Sequence, residues 1–262
     1  MKKILVIGIN SYIGQKFKEY VIEMKNEDIL IDLVSASDGS WKNVDFSRYN
    51  SIMLLSGIVH KEDNINMESI YYEVNYILAV QIAKKAKEQQ VKQFIFMSTL
   101  AIFGQRTGCI TKDTVPKPNT YYGKSKYKAE QDIMLLNDAN FHVAIVRPPM
   151  VYGEGCKGNY QRLIKLSKIT PIFPDYHNKR SILHINTLSE FMIQLIMRDY
   201  YGYFHPQNEE YGDTCKMVVD IRKGMGKKTI LIKCFNPIIK YLIDHNELFN
   251  KVFGNLYYCS DN

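Results

Sequence analysis

The first fourteen residues constrain the fold most. Lys3–Gly8 is a short, largely apolar run, as expected of a strand buried on both faces. It passes at once into Gly8-Ile-Asn-Ser-Tyr-Ile-Gly14 and then into a helical pattern at Phe17, Tyr20, Val21 and Met24. Strand, glycine turn and helix in that order is the context that gives a glycine motif meaning. Such a turn lets backbone approach a pyrophosphate, and the helix N-terminus offers N–H groups and a positive dipole end. On this reading Gly8, Asn10, Ser11, Tyr12, Ile13 and Gly14 line a dinucleotide. The usual fingerprint has three glycines, but Ser11 takes the middle place. Its backbone must then reach the pyrophosphate without glycine's freedom, or its hydroxyl donates a bond instead. The competing reading is an ordinary strand-to-helix turn.

Downstream, apolar runs at Ile29–Ser35, Ser51–Gly57, Val91–Met97 and Phe141–Val146 read as further strands. Met67, Ile70, Tyr71, Val74, Ile77, Leu78 and Ile82 recur at helical spacing and predict one long amphipathic helix reaching about Gln90. Asn75 lies beside that stripe, where it either satisfies backbone groups or touches a ligand; spacing favours the first. An acidic residue ending the second strand would take the adenosine ribose hydroxyls and favour NAD over NADP. Asp38 is the candidate and Asp32, inside the strand, its competitor. Asp45-Phe46 reads as an adenine-edge pair, and Leu55-Ser56-Gly57 as a strand end small enough for close approach of a ligand.

Strands thus alternate with helices to about residue 150, with chemically promising loops at strand carboxyl ends. That is α/β architecture: a Rossmann-type doubly wound parallel sheet with a ligand crevice along one edge. The predicted division is a dinucleotide-binding domain over 1–155 and a smaller mixed α/β substrate lobe over 156–262. In the lobe, Tyr160–Lys168, Leu188–Met197 and Asn236–Val252 read as helical, and Tyr201–Phe204 and Thr229–Lys233 as strands.

The chemistry concentrates in Asn119-Thr-Tyr-Tyr-Gly-Lys-Ser-Lys-Tyr-Lys-Ala-Glu130, a helix opening with Thr120 as its cap. Tyr122 and Lys126 are four residues apart and share a helix face. A free phenol titrates near ~10, and a nearby cation can lower that by roughly 1–3 units. The pair is therefore a proton-transfer device if a substrate hydroxyl reaches it; the bland alternative is a solvated Tyr/Lys face.

Other classes are poorly served. No apolar run approaches the roughly 18–20 residues of a membrane span. The net charge of +7 is spread along the chain, with 19 basic and 16 acidic residues over 1–153 and 15 and 11 over 154–262. That suits an anionic small molecule better than a nucleic-acid surface. The five cysteines are odd in number and lack a CxxC, which predicts free thiols in a reducing, cytoplasmic compartment and no zinc site.

Taken together, Gly8-x5-Gly14, Phe94-Ile-Phe-Met-Ser-Thr-Leu-Ala-Ile-Phe-Gly104, Tyr122-Gly-Lys-Ser-Lys126 and Arg147-Pro-Pro-Met-Val-Tyr-Gly153 resemble the extended short-chain dehydrogenase/reductases. The group concerned is the NAD-dependent nucleotide-sugar epimerases and dehydratases. Lys157-Gly-Asn159, Arg180-Ser-Ile-Leu-His-Ile-Asn186 and Phe204-His-Pro-Gln-Asn208 also look like this group, so the resemblance spans nearly the whole chain.

The resemblance implies NAD, with NADP open, and Tyr122 as catalytic acid/base, its box selecting Tyr122 over Tyr121. Lys126 would bind the nicotinamide ribose and hold down the Tyr122 pKa. Thr99, with Ser98 beside it, would bond the reacting sugar oxygen. Pro148 would border the cofactor, Arg180 would face the nucleotide diphosphate, and Lys157 and Asn159 would lie nearby. The family's dehydratases carry an Asp-Glu pair after the threonine; Leu100-Ala101 stand here, which argues against dehydration. The chain is short for the group, which implies an incomplete substrate lobe. A UDP-sugar epimerase, a 4-ketosugar reductase and a non-catalytic nucleotide-binding protein stay as alternatives, and a homodimer through helices 67–90 and 119–138 is implied.

Overall fold

The computed structural model describes residues 1–59, 65–156 and 158–259. In chain order the first elements are β1 (Lys2–Ile7), α1 (Tyr12–Glu23), β2 (Ile29–Val34), β3 (Ser51–Leu54), α2 (Glu68–Tyr72), α3 (Leu78–Glu88) and β4 (Gln93–Met97). There follow β5 (Gly108–Ile110), α4 (Tyr121–Met134), β6 (His142–Val146), β7 (Met150–Tyr152), α5 (Asn159–Ile169), β8 (Ile172–Pro174), β9 (Ile182–His184) and α6 (Ile185–Met197). The last are β10 (Gly202–Phe204), α7 (Thr214–Gly224), β11 (Ile230–Ile232), α8 (Asn236–His245), α9 (Glu247–Phe253) and β12 (Leu256–Tyr258).

Six strands form one sheet in the order β10-β6-β4-β3-β1-β2, every pairing parallel. Burial follows position in the sheet. The central strands β3 and β4 are buried at every residue, as a parallel sheet covered on both faces requires. Edge strand β2 instead carries the exposed Leu30 between buried Ile29 and Ile31. Leu5, Ile7, Ile52, Leu54, Phe94, Phe96, Val143 and Ile145 pack with Ala79, Ile82, Ala83, Ala129 and Ile133 into one core. The Rossmann-type doubly wound sheet is therefore present.

The helix predicted from Met67 to Gln90 is interrupted. A π-helical turn, Glu73–Ile77, separates α2 from α3 and contains Asn75. Such turns are rare and often sit at functional sites.

The chain forms two compact units that are not consecutive halves. The first comprises Met1–Gly104, Pro116–Pro149 and Leu183–Pro206; the second comprises Gln105–Val115, Met150–Ile182 and Gln207–Asn262. A single cut after residue 155 therefore does not describe the chain. Segment 183–206 was expected in the lobe, but β10 pairs with β6 along the main sheet. The buried Gln93 amide also donates to the carbonyls of Leu195 and Tyr200, at 2.9 and 3.0 Å.

In the second unit, Phe173, Cys215, Val218, Ile239 and Phe253 form a core of their own. Here β5 pairs in parallel with β12, and β8 with β11. That pairing corrects the expectation of five free thiols. Cys109 and Cys259 form a disulfide with their Cα atoms 5.6 Å apart, leaving Cys156, Cys215 and Cys234 free. The partners are 150 residues apart in sequence, so no local spacing announces them.

Candidate active site

The glycine turn lies where β1 ends. Gly8 has φ +134°, and a Cβ there would meet the Ser56 amide nitrogen at 3.1 Å. The Leu55 and Ser56 amides both donate to the Ile7 carbonyl, at 3.0 and 3.1 Å, and so hold the end of β3 against the turn. Ser11 needs no glycine freedom. Its backbone is extended, φ −71° and ψ 126°, and its hydroxyl caps α1 by accepting from the Gly14 amide at 3.4 Å. The result is a bare backbone surface facing a helix N-terminus, with Asn10 exposed and Tyr12 and Ile13 half-buried. That arrangement suits a pyrophosphate.

The acidic candidates separate clearly. Asp32 accepts from the Tyr49 hydroxyl at 2.9 Å and pairs with Lys3 at 3.3 Å, which commits it to the sheet surface. Asp38 is exposed four residues past β2, and its Oδ1 accepts from the Ser40 amide at 2.9 Å. That bond holds its carboxyl below the ordinary range. Asp45 caps a short 3₁₀ turn by accepting from the Ser47 amide and hydroxyl, at 3.0 and 2.6 Å. The Phe46 ring is fully buried in the core and its amide donates to Gln89, so this side chain packs the sheet instead of edging an adenine.

The centre of the site forms where β4 and α4 meet. Thr99 caps the one-turn helix Leu100–Phe103, its hydroxyl accepting from the Ala101 amide at 3.2 Å. The Leu100 amide donates to the Pro148 carbonyl at 3.0 Å, and the amide of buried Ser98 to the Val146 carbonyl at 2.7 Å. Thr120 caps α4 as its sequence suggests, accepting from the Gly123 amide at 3.0 Å. Gly123 allows the close contact between the two elements, because a Cβ there would lie 2.9 Å from the Ala101 carbonyl oxygen. Through it, Tyr122 comes near enough to Thr99 for the threonine hydroxyl to draw its pKa down.

Burial dominates the electrostatics. It pushes the Tyr122 phenol up to about 12; the Thr99 hydroxyl opposes the shift, and Tyr71, its ring 6.2 Å away, adds to it. Lys126 is 4% exposed, and burial draws its ammonium down to about 7. Its Nζ donates to the Met97 carbonyl at 2.7 Å and lies over the Phe96 ring, 4.3 Å from the centroid. A Cβ at Gly57 would come within 3.6 Å of Nζ, which places Lys126 beside the end of β3 as well. Asn75 joins the same region. It accepts from the Ile58 amide at 2.8 Å and donates to the Ile58 carbonyl at 3.0 Å and the Ser125 hydroxyl at 3.3 Å. Its side chain thus satisfies backbone groups, as its spacing favoured, and in doing so ties the loop after β3 to α4.

Two further charged residues sit at this centre. Glu130, one turn beyond Lys126, and Arg147, at the end of β6, form a buried ion pair with its shortest contact at 2.7 Å. Burial pushes the Glu130 carboxyl up and Arg147 opposes this. Glu130 also favours the charged form of Lys126. The signal was available: Tyr122, Lys126 and Glu130 repeat every four residues on one helix face.

Of the substrate candidates, Lys157 lies outside the described residues. Asn159 is exposed at the start of α5. Arg180 belongs to the second unit, where its Nη1 donates to the Gly254 and Asn250 carbonyls at 2.8 and 3.4 Å. One arm of this guanidinium thus satisfies the carbonyl end of α9, where a cation is favoured. No helix among the described residues is long and apolar enough to cross a membrane.

A parallel sheet with a glycine turn after its first strand and a Thr/Tyr/Lys centre along its carboxyl edge defines a dinucleotide-dependent enzyme fold of the short-chain dehydrogenase/reductase type. The chain belongs to the NAD dependent epimerase/dehydratase family, matching it over residues 4–200, and NAD(P) is accordingly its cofactor class. It is 28% identical to UDP-glucose 4-epimerase of Vibrio cholerae, over 97% of this chain and 83% of that protein. Among solved structures it resembles dTDP-4-dehydrorhamnose reductase of Bacillus anthracis in complex with NADP, with a TM-score of 0.73 and 20% identity over 90% of this chain and 85% of the other. It equally resembles UDP-glucuronic acid 4-epimerase of Bacillus cereus in complex with NAD, with a TM-score of 0.73 and 16% identity over 98% and 87%.

Proposed function

We propose that the protein is an NAD(P)-dependent nucleotide-sugar epimerase acting at the sugar C4. The observation that carries this reading is Tyr122 beside Thr99, with buried Lys126 one turn along α4. The relative that spans 97% of the chain, itself a UDP-glucose 4-epimerase, supports C4 chemistry on a UDP-linked sugar.

Gly8, Asn10, Ser11, Tyr12, Ile13 and Gly14 would hold the pyrophosphate, Asp38 the adenosine ribose, and Leu55–Gly57 and Pro148 the walls. Bound NAD supplies reversible oxidation at the sugar C4. The residues manage the proton. Tyr122 takes it from the 4-hydroxyl and later returns it to the same oxygen, while Thr99 orients that oxygen. Base action needs positive charge near a phenol otherwise pushed up to about 12, and Lys126, drawn down to about 7 by burial, would supply that charge in its protonated form. Asn159 and Arg180, with Lys157, are the candidates for the nucleotide diphosphate, Arg180 through the guanidinium atoms beyond Nη1. Leu100 and Ala101 offer no acid or base after Thr99, which disfavours dehydration. A homodimer through the 67–90 and 119–138 helices completes the reading.

A 4-ketosugar reductase is the second reading. There the neutral Tyr122 phenol would donate the proton that ketone reduction needs. Native mass spectrometry of protein purified without added cofactor separates the two. One retained dinucleotide per chain supports the epimerase, and a bare chain that binds added NAD(P)H supports the reductase. Failure to bind either form leaves a non-catalytic fold. In the epimerase assay with UDP-glucose, Tyr122→Phe is expected to lower turnover about 10²–10⁴-fold; retention within about tenfold refutes the acid/base role.

A further inference from the structure

A second cluster lies in the other unit and plays no part in the chemistry above. Two short arms, Asp175-Tyr-His177 after β8 and Asp213-Thr-Cys215 at the start of α7, face each other. One ligand atom each from His177, Asp213 and Cys215 lies within 4.8 Å of the other two. His177 Nδ1 is 2.6 Å from Asp213 Oδ2, and His177 Nε2 is 3.1 Å from Asp175 Oδ1. From this geometry we infer that His177, Asp213 and Cys215 form a zinc site, with Asp175 orienting the imidazole and a solvent molecule completing the tetrahedron.

The donor set and the division of labour carry the assignment. Imidazole nitrogen, carboxylate oxygen and thiolate together suit zinc, whose ligand bonds of about 2.0–2.3 Å set ligand-to-ligand edges of roughly 3.2–3.8 Å. The present spacing reaches those edges with shifts of about 1 Å. Asp213 uses Oδ1 to cap α7, accepting from the Lys216 amide at 3.0 Å, so Oδ2 is the oxygen left to bind a metal. With a cation on Nδ1, the Nε2–H of His177 still donates to Asp175. A carboxylate holding the far nitrogen of a metal-bound histidine is the recurrent outer-shell arrangement of zinc sites. Cys215 is buried in the core of this unit and His177 stands at its surface, so the site has an anchored side and an open side. On binding, the protons on Nδ1 and on the thiol leave to solvent. The ion then ties the segment after β8 to the helix that begins at Thr214. The absence of a CxxC had predicted no zinc site; these ligands come instead from two separated arms, which that spacing rule does not cover.

The test uses the full chain after chelation, titrated with zinc alone and separately with cobalt as a spectroscopic probe. One zinc per chain is expected, with a rise in Tm, and cobalt should give a thiolate charge-transfer band with tetrahedral d–d transitions. His177→Ala, a surface change that leaves the core intact, and Cys215→Ser should each abolish the band. Asp175→Asn should keep it and weaken zinc binding about 10–100-fold. The assignment is overturned if no zinc binds, if His177→Ala binds as tightly as the parent, or if the band disappears on changing the exposed Cys234 to serine.

Discussion

At the scale of single residues, burial without full compensation governs the centre of the site. Burial holds Lys126 down to about 7, so the unfolded chain carries one more proton than the folded chain from there up to the ordinary lysine value. Stability therefore rises with pH through that window, and the full penalty of the buried cation is felt below it. Relative to Lys126→Met, the parent should gain about 2 kcal/mol between about pH 7 and pH 9 in urea unfolding. A constant difference would mean that Lys126 is not desolvated. The Glu130–Arg147 pair makes the opposite kind of case. Arg147→Met removes the direct ion partner of a buried carboxylate and should cost about 3–5 kcal/mol, while Glu130→Leu with Arg147→Met should recover much of that loss. Denaturant midpoints of the two single variants and the double variant measure the coupling.

At the scale of elements, close approach decides whether the residues meet. Helix α4 brings Tyr122 to Thr99 only because Gly123 lets it pack on the turn containing Ala101. Gly123→Ala should leave the protein folded, since alanine favours the helix, yet move Tyr122 off Thr99. We expect a loss of turnover of about 10²-fold, with cofactor binding little changed; steady-state kinetics beside cofactor titration separate the two effects. The π-helical turn has a similar positional effect. It carries Asn75 to a place where one amide can hold the Ile58 backbone and the Ser125 hydroxyl together.

At the scale of the whole molecule, the chain passes repeatedly between two compact units. The loop between Thr99 and Tyr122 supplies β5 to the second unit, where it pairs with the far C-terminal strand β12. The Cys109–Cys259 bond closes that long loop, a kind of link worth up to about 5 kcal/mol when loops are this long. Thiol titration of denatured, unreduced protein should find three reactive cysteines, and five after reduction. Five at the outset would show that the pair is not oxidised in the isolated protein.

Much of this was legible in the residues. Five of the six strands of the main sheet could be located because a parallel strand covered on both faces leaves a continuous apolar run, as at Ser51–Leu54 and Gln93–Met97. Thr120 announced its helix, and the four-residue spacing placed Tyr122 and Lys126 on one face. These are local signals, carried by periodicity and capping. What escaped was non-local or too short for a period to show. Strands β5, β8 and β12 have three residues each.

The sequence by itself determined the βαβ order, the glycine turn and the Tyr/Lys helix face, because neighbouring residues settle those through sterics and amphipathic pattern. Only the tertiary structure decided that Asp32 and Phe46 are used up in the fold and that Arg180 gives one arm to α9. It alone set Tyr122 near 12 and Lys126 near 7, and brought Cys109 to Cys259. Each of these depends on which distant groups exclude water from a side chain or come within bonding distance of it, and no spacing along the chain encodes that.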